Sequence, residues 1–193
     1  MLICLFGTML ATNTLLDAKA LRDVSEAEPG TDFTKPISKF ETPALQTERA
    51  RRSLQLRESP PEFEIDLLRT SLDSDPWQPG AQALLAFALI SEDQDAPTKF
   101  NQALARSFEL CLLCDEDLVK WRIDLVIAFW DRTDEANRKA AFEGVDFARW
   151  WYLDGEYLEA LERRAARRNI PYAAYRSAVD TPIRPEEIRP AEE

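Results

Sequence analysis

Cys111-Leu112-Leu113-Cys114 is the one motif with the look of reaction chemistry, because two thiols at this spacing can share a disulfide or a metal ion. Redox pairs of this kind work from a helix N-terminus, where the dipole lowers the thiol pKa. Here the apolar period places the pair at the end of a helix, where the dipole acts in the opposite sense. A zinc site would need further ligands, and the chain has no His and only Cys4 besides. Inert packing is the favoured reading, with a local disulfide as the alternative in an oxidising compartment. The missing His also excludes Ser-His-Asp and Cys-His arrangements, so a general base would have to be a carboxylate of raised pKa. The carboxylate pairs Asp115/Asp117 and Asp131/Asp134 fall at helix starts and loops, where capping accounts for them. No catalytic, cofactor or metal residue is assigned, and the chain reads as a non-enzyme.

The aromatic set Trp121, Phe129, Trp130, Phe147, Trp150, Trp151 and Tyr152 points to binding. Trp150 and Trp151 are neighbours, so on a helix they point about 100° apart and cannot both enter one narrow core stripe. One of them is expected in a groove or at an interface. Exposed Trp beside Arg is the usual composition of a binding hot spot. The candidate partner-binding residues are therefore Trp121, Arg122, Trp130, Arg149 and Trp150, edging a concave face that takes an extended peptide or a partner helix. The competing reading has each Trp filling the gap between repeats. Two basic runs carry the same ambiguity. Arg49, Arg51, Arg52 and Arg57 form either a docking patch or a solvated face paired with Glu48 and Glu58. Arg163, Arg164, Arg167 and Arg168 either grip an anionic partner such as an acidic polysaccharide or complement the carbonyl end of their helix.

The elements that must position these residues are helices. Ala81, Leu84, Leu85, Ala88 and Leu89 recur at spacings of three and four, as do Phe100, Ala103, Leu104, Phe108, Cys111 and Leu112 after a start at Pro97. About 40 residues on, Asp115 opens a second pair, Leu118, Trp121, Leu125, Ala128 and Phe129, then Ala141, Phe142, Val145, Ala148, Trp151 and Tyr152. A third start follows at Asp154, and Pro171 opens a last short helix expected to cap the stack. Earlier, Pro61 opens a helix with Phe63, Leu67, Leu68 and Leu72 on one side. A repeat of this length signals stacked helical pairs that cannot bury their apolar faces alone.

Leu72-Asp73-Ser74-Asp75-Pro76-Trp77-Gln78-Pro79, followed by an Ala/Leu helix, resembles the junction between successive tetratricopeptide repeats. There a helix ends in Asp-Pro and a second Pro starts the next. The resemblance covers roughly Pro61 to Leu112. The period near 40 and Cys114-Asp115-Glu116 at the second junction depart from the family's pattern. What it implies is an all-α fold of antiparallel helical hairpins stacked as a short solenoid, with a protein partner held in the groove. The arrangement is also similar to small membrane-anchored proteins of bacterial exopolysaccharide and cell-envelope assembly, which implies that setting.

With 193 residues and a net charge of −11, phosphate backbones and anionic membrane surfaces are poor partners, so nucleic acid is not expected. Five Gly and no phosphate-cradling motif argue against an α/β enzyme. Residues 1–16 carry no charge and precede Ala18-Lys19-Ala20, a small-x-small pattern, so 1–20 are expected to be a signal peptide or N-terminal membrane anchor. A periplasmic or membrane-anchored location follows, with an ordinary buried N-terminal helix in a cytoplasmic protein as the alternative. Residues 21–43 are expected to be an extended linker without a core, 44–179 the repeat domain, and 180–193 a disordered acidic, Pro-rich tail.

Overall fold

Pro43, Pro61, Pro79 and Pro97 stand eighteen residues apart, and each begins a helix of 14 residues. Proline is tolerated there because the first helical turn has no intrahelical use for its missing N–H. A 14-residue helix is roughly 21 Å long. The cadence of the chain is therefore set helix by helix. Two such steps make 36 residues, near the 40-residue pair of helices expected from Asp75, Asp115 and Asp154. In a computed structural model of the chain, residues 18–37, 41–57, 59–93, 97–152 and 154–178 are described. The expected N-terminal signal or anchor and the acidic tail lie outside these residues, apart from 18–20. The fold is all-α, with no strand among the described residues, as expected. No helix among them is long and apolar enough to cross a membrane.

The chain divides into two compact units, Met1–Asp93 and Gln94–Glu193. The first contains α1 (residues 18–25), α2 (Pro43–Leu56), α3 (Pro61–Ser74) and α4 (Pro79–Glu92). Consecutive helices pack, α2 on α3 and α3 on α4, and α2 also touches α4. On α3, Ile65, Leu68 and Leu72 are buried; on α4, Ala81, Ala83, Ala86, Ala88, Leu89 and Ile90 are. The expected α4 stripe holds at Ala81, Ala88 and Leu89, while Leu84 and Leu85 are only half-buried. Thr47 and Ser71 hydroxyls meet at 2.9 Å, and Ser71 donates to the Pro43 carbonyl at 2.8 Å.

Residues 21–43 depart from the expected core-free linker. Val24 and Phe33 are buried with Leu45 in one apolar cluster, against which Ala20, Leu21, Ala27, Leu56 and Phe63 pack. Arg52 Nε donates to the Ala27 carbonyl at 3.0 Å, and Arg49 Nη2 to the Phe33 carbonyl at 2.7 Å. Isolated apolar residues nine positions apart carry no period, so nothing local announces this cluster; its other half is on α2. The Arg patch resolves accordingly. Arg49 and Arg52 turn inward to hold this segment, and Arg51 pairs with Glu48.

Glu64 is 1 % exposed, and the Ser53 hydroxyl donates to its Oε1 at 2.5 Å. Burial pushes its carboxyl above the ordinary value of 4.5, with the Ser53 hydrogen bond opposing. Below that ordinary value Glu64 is protonated in both folded and unfolded chains. As pH rises through the interval up to the raised folded value, the unfolded chain releases its proton first, so the folded state loses stability. Glu64→Gln is expected to stabilise the protein by on the order of 1 kcal/mol at neutral pH, with the gain vanishing in acid. Urea melts at several pH values would show it; a gain independent of pH would rule this account out.

The second unit contains α5 (Pro97–Leu110), α6 (Glu116–Ala128), α7 (Glu135–Phe147), α8 (Gly155–Arg167) and α9 (Tyr172–Ala178). A 3-10 turn at Trp130–Arg132 precedes α7, and a π turn at Ala148–Tyr152 follows it. Asp115, Asp134 and Asp154 are N-caps, accepting from the backbone N–H of Leu118, Asn137 and Tyr157 at 2.9, 2.8 and 3.0 Å. The capping reading of these carboxylates holds. Packing runs α6 on α7, α5 on α7, α6 on α8, and α9 on both α7 and α8. Asn101 fastens α5 to the start of α7, its Oδ1 accepting from Asp134 N at 2.8 Å and its carbonyl from Asn137 Nδ2 at 3.0 Å.

The face of α6 is rotated from the expected one. Of the expected stripe Leu125 is buried, but Val119, Arg122, Ile123, Val126 and Ile127 are buried as well, whereas Leu118, Trp121 and Phe129 are half-buried and Ala128 is exposed. Both stripes have helical spacing, so periodicity alone does not choose. Gly144 of α7 decides it, since a Cβ there would lie 3.2 Å from Val119 and 3.4 Å from Ile123. The missing side chain lets α7 settle on that face.

Candidate interaction surface

The five expected partner-binding residues do not gather on one edge. Arg122 is 0 % exposed. Its Nη1 donates to the carbonyls of Ser107 and Cys111 at 3.0 and 2.7 Å, its Nη2 to that of Leu112 at 2.7 Å, and the guanidinium lies 4.7 Å from the Phe108 ring. These carbonyls lie at the end of α5 and just past it, where a helix leaves acceptors without internal partners and carries partial negative charge. Arg122 is an internal cap, which corrects its placement at a groove edge. The Cys pair sits in the same loop, Cys111 just past α5 and Cys114 just before the α6 cap. Cys111 and Cys114 are joined as a disulfide with Cα atoms 5.6 Å apart. Closing so short a loop restrains the unfolded chain little.

Trp130 also faces inward. Its ring meets Tyr175 edge-on at 4.8 Å and Phe142 at 6.1 Å, and the Arg138 guanidinium lies 4.5 Å from it. Tyr172 and Tyr175 of α9 pack on Phe142 at 5.4 and 5.1 Å. The last helix thus caps this end of the unit, as expected, and Trp130 fills the space under it. Arg176 of α9 pairs with Asp146 at 2.6 Å. Burial pushes the Asp146 carboxyl up, and Arg176 opposes it.

The π turn leaves a different surface. Arg149 is exposed, and Trp151 is 56 % exposed with its ring stacked on Phe147 at 5.7 Å and 11°. A π turn is wider than an α turn, so residues four apart come nearly into line, and two flat rings can stack there. Such turns occur preferentially at functional sites. The side chain of Trp150 lies outside the described residues. Trp121 is half-buried on α6. In the first unit Trp77, at the turn between α3 and α4, is 72 % exposed.

No family model matches this chain, and none of the curated proteins or solved structures matches it. Function is therefore read from its own residues.

A polar network joins α6 to α8. Tyr157 donates to Asp124 Oδ1 and lies as close to the Lys120 carbonyl, both at 3.1 Å, and Arg164 Nη2 donates to Asp124 Oδ1 at 2.6 Å. Lys120 bridges Glu116 and Asp154, each at 2.5 Å. Burial and the Asp124 charge hold the Tyr157 phenol protonated far above its usual range. Asp154 and Glu116 raise the Lys120 ammonium, and Lys120 lowers the Asp154 carboxyl. Arg168 Nη1 donates to the Ala128 carbonyl at 2.6 Å. The cation therefore complements the carbonyl end of a neighbouring helix, α6, where the sequence suggested its own. Among the described residues no cluster of metal-ligating side chains occurs.

Proposed function

We propose that this chain is a non-catalytic protein–protein interaction module of the tetratricopeptide-like kind. Its partner, an extended peptide or a helix, docks where the π turn presents Arg149 and Trp151, with Trp150 adjacent in sequence. The observation that carries this is the exposed Trp151 ring beside an exposed arginine on the π turn. Hot spots are enriched in these residue types because a large flat ring and a multidentate cation lose little entropy for the contact they make. The apolar residues 1–16 support a tether in a cell envelope, where the module would assist polysaccharide or envelope assembly.

Trp151→Ala is expected to change stability by about 0.5 kcal/mol or less, as surface substitutions do. The same variant should lose a partner that the full chain retains when captured from native membranes. A stability loss like that of a core substitution such as Phe142→Ala would place Trp151 in the fold and sink the proposal. Glycan binding that disappears in Trp151→Ala would replace the peptide with a sugar stacked on the ring.

A further inference from the structure

The ends of α6 and α8 flank an open cleft of about 430 Å³, lined by Asp124, Ile127, Ala128, Arg164, Arg167 and Arg168. That volume is in the range of small-molecule pockets and exceeds what a bare inorganic anion fills. Arg164, Arg167 and Arg168 occupy positions i, i+3 and i+4 of one helix end, so they share a face. Three cations against one carboxylate leave two net positive charges in the cleft of a chain whose net charge is −11. Capping explains only part of this. Arg168 spends one N–H on Ala128, and Arg164 is anchored by Asp124, which Tyr157 holds in turn. Arg167 makes no hydrogen bond or ion pair among the described residues and is exposed at the cleft.

We propose that this cleft binds a small molecule with a dianionic head group of the phosphate monoester type. Guanidinium forks match phosphate oxygens in geometry as well as charge. Arg167 and the remaining donors of Arg168 grip the head group, and Arg164, fixed by Asp124, backs them. Ala128, exposed, with the edge of the buried Ile127 beside it, receives the apolar body. A monocarboxylate would leave one positive charge uncompensated. This site is separate from the Trp151 surface and stands or falls apart from it.

Calorimetric titration of the full chain in low-salt buffer, with phenyl phosphate, benzoate and inorganic phosphate as probes, tests the assignment. Saturable binding of phenyl phosphate is expected, tighter than that of benzoate. Arg167→Ala should weaken it about tenfold or more, the loss of at least one charge-assisted hydrogen bond. Arg163→Ala is the control, because Arg163 is exposed outside the cleft lining and pairs with Glu159 at 3.5 Å. It removes the same charge and should leave binding unchanged. An unaltered melting temperature checks that each variant folds, and Arg167→Gln repeats the test should Arg167→Ala not fold. Absence of saturable binding, benzoate binding as tightly as phenyl phosphate, or equal weakening in the Arg163 and Arg167 variants would each overturn the proposal.

Discussion

Arg122→Met is expected to destabilise the protein by about 3 kcal/mol or more, read as a lower midpoint in chemical unfolding. Methionine fills much of the same space, so the loss isolates the hydrogen bonds. The carbonyls of Ser107, Cys111 and Leu112 would lose the guanidinium that reaches all three, although that of Ser107 keeps the Cys111 backbone N–H at 3.3 Å. Leaving the part-buried Cys111 and Leu112 carbonyls without this donor costs about 1 to 3 kcal/mol each. Arg122→Lys should recover only part of the loss, because one ammonium is a point donor and cannot fork across three carbonyls. A neutral outcome for Arg122→Met would show that water replaces the guanidinium and that the cap is dispensable.

Arg49→Met is expected to cost more, about 3 to 5 kcal/mol, because it strands a charge as well as acceptors. The side chains of Arg49 and Glu41 are 3 % and 8 % exposed and form an ion pair, and Arg49 also holds the Phe33 carbonyl and lies 5.7 Å from the Phe63 ring. With Arg49 gone, the Glu41 carboxylate would be buried without its cation. The effect should be local as well as global, with amide exchange rising first across residues 24–37. Replacing both, Arg49→Met with Glu41→Gln, should restore a large part of the stability, since the stranded carboxylate is then absent. Restoration failing in the double variant would mean the arginine acts mainly through Phe33 and Phe63.

Much of the secondary structure was legible because its signals are local. Proline at Pro61 and Pro97, the acids Asp115 and Asp154, and spacings of three and four act within one or two turns of the residue that carries them. The inward face of α5, with Phe100, Ala103, Leu104 and Phe108, follows from that spacing, and all four are buried. Prolines at intervals of eighteen mark the helix starts from α2 to α5 more regularly than the acidic residues Asp75, Asp115 and Asp154. The surface was less legible. Trp130, Trp151 and Arg149 carry similar weight as aromatic or cationic residues, yet one fills space under α9 and the others stand exposed.

By itself the sequence determined that this chain is helical, where most of its helices begin, and that no histidine chemistry is available to it. Only the tertiary structure decided which face of α6 turns inward, that Val24 and Phe33 join a core with Leu45, and that Arg49 and Arg122 are internal ties. The physical reason is range. A cap or an apolar period is satisfied by neighbours along the chain, whereas a guanidinium is satisfied by carbonyls ten to sixteen residues away that only folding brings near.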